Sequence, residues 1–124
     1  MFTHMTVGTN DLSAARAFYD AVLQPLGYKR LFDREDRSGY GADRPSFFVL
    51  HPVDGKLATY GNGSTIGFAA PSQTAVNEFH KQALAHGGRC EGPPGPRPFG
   101  PNVYAAYVRD PVGNKLAVIC TAAQ

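Results

Sequence analysis

Polar and apolar residues alternate from the start of the chain. Over residues 2–8, Phe2, His4 and Thr6 share one face and Thr3, Met5 and Val7 the other, the period of a half-buried strand. Asn10 or Asp11 can cap the helix that follows, because a short side-chain oxygen there accepts from the free N–H groups of the first turn. That helix carries Leu12, Ala15, Phe18, Val22 and Leu26 on one apolar face, and Gly27 supplies a left-handed stop. Tyr28 to Glu35 and Ser38 to Asp43 read as strands about a charged turn at Asp36-Arg37, and Phe47 to Leu50 is a compact apolar strand ended by His51-Pro52.

After a turn-rich stretch the order returns. Thr65 to Ala70 is a strand, and Ser72 caps a helix bearing Val76, Phe79, Ala83 and Leu84 that stops at Gly87-Gly88. Arg89 to Glu91 begins a strand that breaks into the Pro/Gly run from Gly92 to Pro101. Val103 to Arg109 and Lys115 to Cys120 form a hairpin closed by Asp110-Pro111-Val112-Gly113-Asn114. Sliding the sequence by 61 residues lays Phe18 on Phe79, Leu23 on Leu84, Gly27 on Gly88 and His4 on Thr65. The chain therefore reads as one domain of two modules, about 1–52 and 64–124, joined by a linker at about 53–63. Neither half alone is large enough to be comfortable.

Composition narrows the function. A net charge of +2 with dispersed basic residues lacks the stripe that nucleic-acid binding needs. No apolar run approaches a membrane span, and the N-terminus has no basic segment leading into one, so a cytoplasmic protein is expected. Cys90 and Cys120 have neither CxxC spacing nor the density of a disulfide framework. There is no G-x-S-x-G elbow, phosphate loop or dinucleotide fingerprint, and Asp11, Asp54 and Asp110 read as cap and turn residues.

The duplicated βαβββ plan, with HMTVGTNDLSAARAFYDAVLQPLGY at the front and YAAYVRDPVGNKLAVIC at the back, resembles the vicinal oxygen chelate superfamily over essentially the whole chain. That group holds glyoxalase I, bleomycin-resistance and extradiol-dioxygenase proteins. The resemblance implies an α+β fold in which two modules form a curved eight-stranded mixed sheet, with helices on the convex side and a concave cleft. It also implies a homodimer with clefts near or at the interface. Met5, Val7, Ile66 and Phe68 would pack under the helices, leaving His4, Thr6, Thr65 and Gly67 as a small, polar cavity wall.

In metal-using members the resemblance implies ligands near the start of each module and on each module's last strand. His4 stands at the first such position and Thr65 at its repeat mate. The family pattern D-P-x-G-N-x-x-E reads here as Asp110 to Asn114 followed by Lys115, Leu116 and Ala117, so the carboxylate is replaced by a methyl group. The remaining position falls within apolar Phe47 to Leu50. A divalent ion needs three or four protein donors, and a non-haem iron site two His and a carboxylate. The expectation is a protein without a metal cofactor that binds a small organic molecule. The rival is a metal-dependent glyoxalase I-like lyase, isomerase or dioxygenase with non-standard ligands.

The expected cleft contacts are His4, Thr6, Thr65, Gly67, Tyr104 or Tyr107, and Ala117, with Ala106 as a further small residue. His4 is the candidate catalytic residue, since imidazole titrates near neutrality; it also reads as a partly buried residue left in a cavity that has lost its metal. If the Asp110–Gly113 turn is plain, Tyr104 shares the cleft face with Ala106, Ala117 and Ile119; a bulge turns Tyr107 inward instead. His51 reads as a surface residue at a strand end, and His80 and His86 as exposed helix residues. The loop bearing Arg97 and Phe99 can be read as a polyproline ligand or as a flap over the cleft, and reads better than either as a rigid surface connection.

Overall fold

A computed structural model describes residues 1–123; Gln124, where the second module was expected to end, lies outside the described residues. The first module runs β1 (Met5–Gly8), α1 (Leu12–Leu23), β2 (Lys29–Arg34), β3 (Arg37–Gly41) and β4 (Phe47–Leu50). The second runs β5 (Ile66–Ala69), α2 (Gln73–Ala85), β6 (Arg89–Pro96), β7 (Tyr104–Arg109) and β8 (Lys115–Cys120). Asp11 caps α1 by accepting from the Ala14 N–H, and Ser72 caps α2 by accepting from Ala75. Asn10 is not the cap; its amide instead clasps the backbone of Ala58 in the linker. A 3₁₀ turn over Gln24–Leu26 extends α1 to Gly27, whose φ of 89° lies in the left-handed region.

Each module forms a four-stranded mixed sheet, in the orders β1-β4-β3-β2 and β5-β8-β7-β6. The expected α+β architecture is present, and the eight strands divide into these two ladders. The edge strands β1 and β5 flank a shared hollow, and the Asn114 Nδ2 donates to Gly8 O across this seam at 3.1 Å. One core spans both halves. Val7, Phe18, Tyr19, Val22, Phe47 and Val49 join Val76, Phe79, Val108, Leu116 and Val118 in a single cluster. Phe68 bridges the modules, its ring 5.1 Å from Phe47 and 6.2 Å from Phe79.

Four expectations change. The sixth strand does not break at Gly92 but continues to Pro96, with register shifts at Gly92 and Gly95. It lies at a sheet edge, where proline removes no ladder hydrogen bond that another strand needs. Met5 is 39% exposed at the seam, and Leu84, the repeat mate of buried Leu23, is 47% exposed. Asp110 is far more than a turn residue. It is buried, its Oδ1 accepts from the backbone N–H groups of Val112, Gly113 and Asn114, and its Oδ2 accepts from Asn114 Nδ2 and the Tyr19 hydroxyl.

Candidate functional site

Strand pairing decides which residues share the face turned away from the helices. Across the first sheet one row reads Thr6, Phe48, Gly39, Phe32; across the second, Gly67, Ala117, Tyr107, Gly92. Residues directly opposite in a ladder point to the same side. These two rows mark the helix-free face of each sheet.

Thr6, Thr65, Gly67, Tyr107 and Ala117 thus fall on the expected side, and His4 joins them just before β1. Tyr104 does not. It pairs with Cys120 on the helix side, and its hydroxyl donates to Asn77 Oδ1 on α2 at 2.7 Å. Ala106 pairs with Val118 in the core, and Ala105 takes the concave position. The reason is the length of the closing turn. Arg109 pairs with Lys115, so five residues lie between the strands, and Tyr107 rather than Tyr104 comes opposite Ala117.

His4 is exposed, and its imidazole meets the Phe48 ring edge-on at 5.7 Å; Phe48 in turn packs against Phe32 at 6.0 Å. Its Nδ1 lies 2.9 Å from the Thr3 hydroxyl. Phe48 is the first module's counterpart of Ala117, because Met5 pairs with Phe47 as Ile66 pairs with Leu116. The four implied ligand positions therefore carry an imidazole, a neutral hydroxyl, a phenyl ring and a methyl group, from His4, Thr65, Phe48 and Ala117. This set does not fit a divalent ion, which needs more than one strong nitrogen, oxygen or sulfur donor. Among the described residues no three His, Cys, Asp or Glu side chains are grouped so as to hold one.

Basic residues crowd the second wall. Arg97 lies over the Tyr107 ring at 5.6 Å, and the Lys115 ammonium lies 5.3 Å from the same ring. The Arg97 guanidinium donates to the carbonyls of Pro93, Gly95 and Pro96, and the Pro/Gly loop is folded around it. Arg109 pairs with Glu91 at 2.5 Å and covers the ring of Tyr60, which closes over Gly113. The hydrogen bond from Arg109, then its charge, holds the Glu91 carboxyl below the usual carboxylate range. Phe48, Phe32 and Lys115 were not singled out from the sequence, and Arg97, read as part of a surface connection, instead lies against Tyr107. Alternation within Phe47 to Leu50, and two-residue spacing of Lys115 from Ala117, are the signals that place Phe48 and Lys115.

Two hollows open along the seam. One of about 440 Å³, under the linker, is lined by Thr6, Thr59, Ser64, Thr65 and Asn114 among others. Another of about 220 Å³ at the opposite end is mainly apolar, with Met5, Phe47, Ile66 and Phe68 in its walls. His51 and His86 are exposed as expected. His80 is half-buried, with Nε2 3.1 Å from the Cys90 sulfur, and burial lowers its pKa.

Paired βαβββ modules with a concave face free of helices define a vicinal oxygen chelate protein. The chain belongs to the glyoxalase/bleomycin resistance protein/dioxygenase superfamily, whose pattern it matches over residues 2–118. It is 42% identical to a glyoxalase/bleomycin resistance protein from Albidiferax ferrireducens T118, with a TM-score of 0.89 over 98% of this chain and 99% of that one. The fosfomycin resistance protein FosX from Mesorhizobium loti shares the fold at 15% identity and a TM-score of 0.70, over 98% and 92% of the two chains. A lactoylglutathione lyase from Agrobacterium tumefaciens shares it at 23% and 0.65, over 94% and 91%. No protein of curated function matches the chain. No helix among the described residues is long and apolar enough to cross a membrane.

Proposed function

We propose that this protein binds a small organic molecule on its concave face without a metal cofactor. The observation that carries the reading is the seating of the His4 imidazole against Phe48, with Thr65 and Ala117 at the other implied ligand positions. A phenyl ring and a methyl group offer an apolar surface where a metal site would need donors. His4, Thr6 and Thr65 supply hydrogen-bonding groups beside it, and exposed Gly67 leaves space. His4 orients the ligand by hydrogen bonding, with its Nδ1 side engaged by Thr3.

The reading includes a homodimer, which would cover a face that is open in the single chain. The outer strands β2 and β6 each have an unpaired edge in the single chain. Cytoplasmic residence accords with two free cysteines, Cys90 and Cys120. The test joins metal analysis of protein purified without chelator to a glutathione-hemithioacetal isomerase assay. Substoichiometric metal and no isomerisation are expected, with saturable binding of an aromatic compound that weakens in His4→Ala. Stoichiometric divalent metal lost in His4→Ala would overturn the reading in favour of the metal-dependent enzyme. Light scattering on the purified chain checks the dimer.

A further inference from the structure

We infer that the concave face selects an anionic ligand, an aromatic or otherwise flat carboxylate, and that Lys115 and Arg97 receive its charged end. This rests on the proposed small-molecule reading of the same face. The second wall places Arg89, Arg97, Arg109 and Lys115 on the ligand side, since Arg89 pairs with Arg109 and Arg109 with Lys115. The one carboxylate placed with them, Glu91, is engaged by Arg109. Among the described residues neither Lys115 nor Arg97 forms an ion pair.

Arg97 is also held in advance. Three backbone carbonyls fix its guanidinium without neutralising it, and Gly92 gives the ring and the guanidinium room to pack: a methyl there would meet Tyr107 at 3.2 Å and Arg97 at 3.3 Å. A planar cation ordered before binding loses little further entropy when it pairs with a carboxylate. From half-buried Tyr107 the row runs through buried Ala117 to exposed Gly67, and neither of these small residues projects far from the sheet. Three strands at about 4.8 Å spacing give that row a width of roughly 10 Å, enough for a bicyclic acid lying flat.

Calorimetric titration of the intact protein with 2-naphthoate and with its neutral isostere 2-naphthamide tests this. The acid is expected to bind about tenfold or more tightly than the amide, and added salt to weaken the acid alone. In Lys115→Gln the preference should fall to about threefold or less, and Lys115→Arg should keep it. Arg97→Gln, whose loop also depends on that side chain, is used only if its far-ultraviolet dichroism and urea midpoint match the parent. Equal binding of acid and amide overturns the charge inference while the cleft reading stands. A preference that survives Lys115→Gln overturns the assignment of the anion to this wall. Failure of both probes to bind overturns both readings.

Discussion

Tyr19 and Tyr40 carry their hydroxyls inward, Tyr19 to the Asp110 carboxylate and Tyr40 to Asp20 at 2.8 Å. Burial first, then the adjacent carboxylate, raises both pKa values, so each phenol keeps its proton more firmly in the folded chain than in the unfolded one. Their contribution to stability is thus complete below the ordinary tyrosine pKa of about 10 and is lost as pH rises through the folded values. With six tyrosines and no tryptophan, ultraviolet titration of tyrosinate reads this directly. Tyr19 and Tyr40 should ionise only together with unfolding, in a step that loses one equivalent in Tyr19→Phe. That substitution should also cost about 1–3 kcal/mol, because it removes a buried hydrogen bond to a charged acceptor. Asp110→Ala should cost more than about 3 kcal/mol, since it leaves several buried donors without a partner. Urea midpoints check both. At the acid end, Asp33 is held low by the Ser38 hydroxyl first and by Arg30 and Arg16 after it. Its share of stability is present above the ordinary carboxylate range and is lost as pH falls through the lowered value, a loss that Asp33→Asn should remove from the acid limb.

The helices and most strands were readable from periodicity and punctuation because burial imposes both. Alternation marks β1 and β4, and Asp11 and Ser72 cap where capping chemistry places them. Ser72→Ala should cost about 1 kcal/mol, seen as a lower thermal midpoint without loss of helix content. What the sequence could not settle was register. The turn after β7 is one residue longer than a plain reading allows, and the whole assignment of Tyr104 and Tyr107 inverts on that residue. The prolines of β6 pointed to a loop because proline lacks a donor, but an edge strand does not need the donors that proline removes. Asp110 was legible as a turn residue and not as a buried hub, since its partner Tyr19 lies 91 residues away. Backbone crowding is equally hidden from composition. At Gly41 a methyl group would come within 1.9 Å of the Arg44 carbonyl, so Gly41→Ala should destabilise by about 2–3 kcal/mol, whereas Gly63 has open space around it.

At the scale of the molecule the two modules are separate ladders around one interior. Phe68 lies between Phe47 of the first module and Phe79 of the second. Shared burial of this kind predicts one cooperative unfolding transition, with Phe68→Ala lowering the unfolding free energy by about 3–5 kcal/mol and not splitting the transition into two. Urea unfolding followed by tyrosine fluorescence and by far-ultraviolet dichroism should give coincident curves. The Asp110 turn has a wider consequence. Its carboxylate organises the turn and anchors α1 through Tyr19, and Asn114 ties the turn to β1. All of that is architecture, and it is complete here although Ala117 stands where the carboxylate of the motif would be. The two parts of the motif thus do separate work in this chain: Asp110 to Asn114 hold the turn and its two anchors, and the methyl group of Ala117 takes no part in those hydrogen bonds.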